Sequence, residues 1–117
     1  MTMPDPSELI NSLEFNDAGL IPCIVQDASS NRVIMFAWMN EEALKLTLRT
    51  NQMHFWSRSR SELWHKGSTS GNVQKLVELE FDCDMDVLLA RVTPNGPSCH
   101  TGNQSCFDAG RIELTQP

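Results

Sequence analysis

Residues 78 to 89 read Glu78-Leu79-Glu80-Phe81-Asp82-Cys83-Asp84-Met85-Asp86-Val87-Leu88-Leu89. Acid and non-acid residues alternate without a break from Glu78 to Asp86. Strand side chains alternate between faces with a period of two. An extended stretch here therefore projects five carboxylates from one face. Leu79, Phe81, Cys83, Met85, Val87 and Leu89 project from the other, which reads as core. Like charges lined up on one face repel, so the acidic face is either a solvated edge or the seat of a cation. Asp82, Asp84 and Asp86 are its densest part, and clustered carboxylate oxygens suit a hard ion such as Mg²⁺.

Working outward, Val73 to Cys83 reads as a long strand, and Val87 to Thr93 continues it or pairs with it. Pro94-Asn95-Gly96-Pro97 is a turn. Arg111 to Leu114 has the composition of a last strand. Upstream, Ile21 to Ala28 and Arg32 to Met39 form a hairpin pattern about Ser29-Ser30-Asn31. Asn40-Glu41-Glu42-Ala43 opens a helix: Asn40 caps it and the two acids favour its N-terminus. Ala43, Leu44, Thr47 and Leu48 fall on one face, and the helix ends near Asn51. Met53 to Arg58 reads as a strand and Ser61 to Gly71 as irregular. Asp5 to Leu13 is a short amphipathic helix with Asp5 as cap, Pro6 at its first position and Glu8 three residues after the cap. The reading is strand-rich α+β with one substantial helix, a single domain over residues 1–117.

The formal charge of −6 argues against a general nucleic-acid surface, which needs a basic field. Met1 to Ile10 lacks the apolar run of a signal peptide, and Val33 to Met39 is too short to span a bilayer. The expectation is a soluble cytoplasmic protein without a membrane partner. In that compartment four cysteines point to metal binding or chemistry before disulfides.

Cys99 and Cys106 bracket a polar loop, His100-Thr101-Gly102-Asn103-Gln104-Ser105, and Cys83 lies sixteen residues before Cys99. Three thiolates could hold Zn²⁺ with one position open, as catalytic zinc requires. Without a CxxC pair, three ordinary cysteines are an equal alternative. Cys23 sits in an apolar strand and reads as structural. His100 adjoins Cys99 and could serve as general base or fourth ligand. No histidine is followed two residues later by Glu, which argues against the nucleobase deaminases.

Arg58, Arg60 and Lys66 fall in one nine-residue stretch of a chain that has nine basic residues. They are followed by Gly67-Ser68-Thr69-Ser70-Gly71, and Trp56 and Trp64 are interleaved. This is a phosphate cradle in composition, with Arg forks, Lys and loop N–H groups as donors. The alternative is a solvated turn, which fits the two tryptophans poorly.

These motifs together resemble the phosphoribosyl-AMP cyclohydrolases. The resemblance rests on Asp82-Cys83-Asp84-Met85-Asp86, Gly96-Pro97-Ser98-Cys99-His100-Thr101-Gly102 and Ser105-Cys106-Phe107. It also rests on Trp56-Ser57-Arg58-Ser59-Arg60, Leu63-Trp64-His65-Lys66-Gly67 and Ala37-Trp38-Met39-Asn40-Glu41-Glu42-Ala43-Leu44. It implies hydrolysis of the N1–C6 bond of the purine ring of phosphoribosyl-AMP, the third step of histidine biosynthesis. It implies an intertwined homodimer of small pseudo-barrels, mostly antiparallel and capped by a helix. Cys83 of one subunit with Cys99 and Cys106 of the other would hold Zn²⁺, and Asp82, Asp84 and Asp86 would hold Mg²⁺. The chain stops at Pro117, so the resemblance implies the cyclohydrolase without a following pyrophosphohydrolase domain. One position departs from the pattern: Ser68 stands where the family implies Glu after Lys66-Gly67.

The chemistry agrees. Zinc lowers the pKa of its water to about 7, C6 of the N1-ribosylated purine is electrophilic, and His100 could shuttle the proton. The two substrate phosphates would be held by Mg²⁺ and by Arg58, Arg60, Trp64, Lys66, Gly67, Ser68, Thr69, Ser70 and Gly71. A structural zinc module would instead need a closed fourth ligand, His100 or Cys23. A metal-free nucleotide-binding module would be indifferent to zinc removal.

Overall fold

Ile21, Cys23 and Val25 have no exposed surface, while their neighbours Pro22, Ile24 and Gln26 are half-buried. That period builds strand β1, Ile21–Asp27, at the centre of the sheet. On one side it pairs antiparallel with β2, Val33–Met39, through the expected hairpin, whose Asn31 has a left-handed φ of 65°. On the other side it pairs in parallel with β6, Leu88–Pro94, whose Leu88, Ala90 and Val92 are buried. β3, His54–Ser57, and β4, Glu62–His65, extend the β2 side, and β5, Gln74–Phe81, extends the β6 side. The computed structural model describes residues 6–115, and the sheet order within them is β4-β3-β2-β1-β6-β5, all antiparallel except β1 with β6.

The sheet curls into a half-barrel, and its two sides meet at one end. Gln52 forms a bridge with Lys75, Met53 N–H donates to the Gln74 carbonyl at 3.0 Å, and Leu76 N–H donates to the Asn51 carbonyl at 2.8 Å. The interior is filled by Met35, Met39, Met53, Phe55 and Leu88 with the β1 side chains.

Helix α2, Glu41–Thr50, packs into this core with Ala43, Leu44 and Thr47 buried and Leu48 half-buried. The Asn40 side chain accepts from Ala43 N–H at 2.8 Å, and Asn51 ends the helix in the left-handed region. Thr47 Oγ1 donates to the Ala43 carbonyl and accepts from His54 N–H at 2.9 Å, tying α2 to β3. Helix α1, Pro6–Ser12, buries Ile10, and Leu13 just beyond it is buried too. The expected cap Asp5 lies outside the described residues.

Three expectations are corrected. Glu62–His65 is a strand, not part of an irregular segment. It is held by hairpin pairing with β3, with Phe55 and Trp64 rings 5.5 Å apart. Arg111 to Leu114 is not a strand, and Ile112 and Leu114 are each 86% exposed. The alternation from Glu78 to Asp86 is not one extended stretch: β5 ends at Phe81, and Cys83 is exposed rather than core-facing. Asp82 Oδ1 accepts from the N–H groups of Asp86 at 3.0 Å and Val87 at 3.2 Å, and Met85 turns the chain at φ 58°. The aspartate's own hydrogen bonds compete with the ladder and win.

Candidate active site

The turn that ends β5 gathers three carboxylates. Oxygens of Asp82, Asp84 and Asp86 all lie within 4.8 Å of one another, the one such cluster of potential metal ligands among the described residues. Slight desolvation, with Asp82 and Asp84 alongside, raises the Asp86 carboxyl above the usual aspartate range. A hard cation would relieve that repulsion, and the all-oxygen donor set suits Mg²⁺.

Cys99 and Cys106 meet at the opposite end of β5. Residues 98–104 fold back on themselves: Cys99 N–H donates to the Asn103 carbonyl at 3.1 Å and Gly102 N–H to the Cys99 carbonyl at 3.0 Å. A 3₁₀ turn, Cys106–Ala109, follows, with Ser105 and Asp108 as a reciprocal capping box. Each thiol is close enough to shift the ionisation of the other. The Thr101 hydroxyl, 3.1 Å from Cys99 Sγ, is the main cause that lowers the Cys99 thiol below its ordinary range. Partial burial raises the Cys106 thiol. A pair of neighbouring thiols suits a thiolate-binding metal such as zinc.

Cys83 does not join them within one chain. It lies in the Asp82–Asp86 turn next to the Phe81↔Leu88 pair, whereas the cysteine loop follows the Gln74↔Pro94 pair. The length of β5, about 20 Å at strand rise, separates those ends.

The cysteine loop forms one wall of a cleft of about 540 Å³, a size suited to a nucleotide-like ligand. Cys99 and His100 stand on that wall. The facing wall is the basic segment: Arg60, Trp64 and Lys66, then Gly67 with Ser68, Thr69 and Ser70. Arg58 and Gly71 are not in the lining; Arg58 covers the Trp38 ring, 4.9 Å from its centroid. His100 is exposed and free to meet a ligand.

Lys66 joins the two walls. Its ammonium donates to the Ser98 carbonyl, and it lies 5.3 Å from the Trp64 ring centroid. Burial pulls the ammonium below the usual lysine range, and the Cys106 and Cys99 sulfurs work the other way. Gly67 has φ +85°, and a Cβ there would strike the backbone of Asn72 and Val73, so glycine is required. Ser68, in place of the expected Glu, is exposed at the cleft. Thr69 and Ser70 N–H groups have no acceptor among the described residues, which leaves them as donors for an anion.

Three residues that pattern reading passed over stand behind this site. Gln74, Ser98 and Ser105 are all buried. The signals were present in the sequence: a polar residue at an inward strand position, and the twice-used dipeptide Ser98-Cys99 and Ser105-Cys106.

The profile of the phosphoribosyl-AMP cyclohydrolase family matches residues 35–108. The phosphoribosyl-AMP cyclohydrolase of Archaeoglobus fulgidus is 58% identical over 95 residues, covering 81% of this chain and 88% of the relative. That of Roseobacter denitrificans is 55% identical over 98 residues, covering 84% and 77%. The histidine biosynthesis bifunctional protein HisIE of Caldanaerobacter subterraneus is 56% identical over 107 residues, and this chain spans 52% of its length. With every motif of the cleft and of the acidic turn falling within the matched residues, the chain belongs to the phosphoribosyl-AMP cyclohydrolase family, hydrolases of histidine biosynthesis.

Proposed function

We propose that this chain opens the purine ring of phosphoribosyl-AMP by hydrolysis at N1–C6, with Zn²⁺ and Mg²⁺ as cofactors, at sites shared between two copies. The observation that carries this reading is the meeting of Cys99 and His100 with the basic segment at one cleft, with Cys106 beside Cys99. Cys83 is left at the far end of β5. Two thiols alone make half a zinc site, and a second copy is the natural source of the third.

Exposed apolar surface supports such a partner. Phe36, Val77, Phe81 and Phe107 are each between 46% and 58% exposed, on β2, on β5 and in the 3₁₀ turn. Phe81 adjoins the turn that carries Cys83, and Phe107 adjoins Cys106. A twofold contact covering these residues would bring the two ends together.

When bound, zinc supplies a water acidic enough to react as hydroxide near neutral pH. Cys99 and Cys106, with Cys83 of the second copy, would hold it. His100 takes the proton of the water as oxygen adds to C6, and returns a proton to N1 as the C6–N1 bond breaks. Arg60, Lys66 and the N–H groups of Thr69 and Ser70 bind phosphate, and Trp64 offers an aromatic wall to the cleft. Asp82, Asp84 and Asp86 would hold Mg²⁺. Four free cysteines fit a reducing compartment, and a cytoplasmic location belongs to this reading.

The test is the ring-opening reaction itself, followed with and without a zinc chelator. Turnover that is lost on chelation and restored by Zn²⁺ supports the proposal. Full turnover after exhaustive metal removal overturns its zinc part, and no turnover of phosphoribosyl-AMP by the metal-replete protein overturns the whole.

A further inference from the structure

The segment that carries Cys99 and Cys106 belongs to no strand, and His100 to Gln104 are all exposed. A loop of this kind needs fixed points if its two thiols are to stay together. Two residues of the stretch from Ser98 to Ser105 are buried, and they are serines. Ser98 is 2% exposed and Ser105 has no exposed surface, and each is followed directly by a cysteine of the pair.

Each serine is fastened to a different strand. Gln74 Nε2, from the fully buried first residue of β5, donates to Ser98 Oγ at 3.1 Å. Ser105 Oγ donates to the Val33 carbonyl of β2 at 2.8 Å, and the same oxygen accepts from Phe107 N–H at 3.0 Å. β2 and β5 lie on opposite sides of the central β1–β6 pair. The curled sheet brings both fastening points to the one loop.

We propose that Ser98 and Ser105 are the positioning residues of the thiol pair: each buried hydroxyl fixes the cysteine that follows it, Ser98 against Gln74 and Ser105 against Val33. Neither hydroxyl is offered as a ligand or as a group that touches substrate. A buried hydroxyl of this kind is worth its place only if it has a partner. Gln74 meets that need for Ser98 from the start of a strand whose inward positions are otherwise apolar, at Leu76 and Leu79. The 0% exposure of Gln74 makes its amide an expensive choice for packing alone.

The inference rests on the thiolate-metal reading above, and its test separates the two. Co²⁺ is titrated into the metal-free full-length chain, and the thiolate-to-Co²⁺ charge-transfer absorption gives affinity and ligand environment. Ser98→Ala, Gln74→Met and Ser105→Ala should each weaken Co²⁺ binding about tenfold or more, the range for groups that orient metal ligands. The metal-free thermal midpoint of Gln74→Met should stay within a few degrees of wild type. Ser98→Ala combined with Gln74→Met should be no worse than either alone, because they break one contact. Ser98→Ala combined with Ser105→Ala should be additive. Should Ser105→Ala fail to fold, the Ser98 and Gln74 variants decide. Wild-type bands with affinity unchanged in those two variants overturn the positioning role. Affinity that falls only in step with metal-free stability overturns it as well. A wild-type titration without thiolate bands overturns the metal reading, and the proposal falls with it.

Discussion

His54 and His65 stack face to face across β3 and β4, with ring centroids 4.4 Å apart and planes 7° from parallel. Both are tied to Gln52: His54 Nδ1 donates to its carbonyl at 2.8 Å, and His65 Nε2 lies 2.7 Å from its side-chain oxygen. The pair stands at the point where the half-barrel closes through the Gln52↔Lys75 bridge. Burial chiefly, with His65 adding to it and the Gln52 bond opposing, holds His54 below the usual histidine range.

A pH dependence follows from that depression. Above about pH 6.5, the pKa of an unperturbed histidine, His54 is neutral folded and unfolded, and it adds no slope. As pH falls through that value the unfolded chain takes a proton that folded His54 refuses, so stability declines until the folded side chain titrates too. The thermal midpoint should therefore drop between about pH 7.5 and about pH 5.5. His54→Asn, whose amide can still reach the Gln52 carbonyl, should flatten the decline. Equal slopes in both proteins would show that another group is responsible.

Gly67→Ala tests the loop that faces the cysteines. The new Cβ meets the backbone of Asn72 and Val73, and the φ of +85° is unfavourable to alanine. Urea denaturation should show a loss of about 1–3 kcal/mol. A stability equal to wild type would mean that the loop relaxes at no cost.

Arg60→Ala addresses phosphate binding. Arg60 lines the cleft, and its side-chain contacts, to the exposed Glu62 and to Ser57 Oγ, each at 3.4 Å, both use Nε, so its terminal nitrogens are available to an anion. Loss of a charge-assisted hydrogen bond of about 1.5–3 kcal/mol should raise KM roughly tenfold or more, with a smaller change in kcat. Normal KM with depressed kcat would place Arg60 in the chemical step.

Asp84→Asn separates the two metals. It removes one carboxylate of the acidic cluster without touching the hydrogen bonds by which Asp82 holds the turn. Activation by Mg²⁺ should disappear while zinc content, read by elemental analysis, stays at wild-type level. Unchanged Mg²⁺ activation would remove the ion from this turn.

What the sequence made legible was local. Asn40 and Asn51 mark the ends of α2, and the period of Ile21, Cys23 and Val25 marks β1, because caps and alternation act within a few residues. The acidic alternation pointed to clustered carboxylates but gave them the wrong backbone, since the Asp82 side chain converts the stripe into a turn. β4 was not legible, because its stability comes from stacking with β3 rather than from its own four residues. Likewise Gln74 and Ser98 gain meaning only when the sheet curls and places them 3.1 Å apart. The cysteines were legible as a group, and their division between two subunits was an expectation carried by the resemblance; within the chain the β5–β6 register sets Cys83 and the Cys99–Cys106 loop at opposite ends of β5.

Complementation tests whether the three cysteines come together from two copies. An inactive Cys83→Ala protein is mixed with an inactive Cys106→Ala protein under conditions in which subunits exchange. In a mixed pair one site lacks both mutated ligands and the other keeps Cys83, Cys99 and Cys106. Activity should return, to at most about half of the wild-type sites in each mixed pair by twofold symmetry. Demonstrated exchange with no return of activity would contradict the shared site.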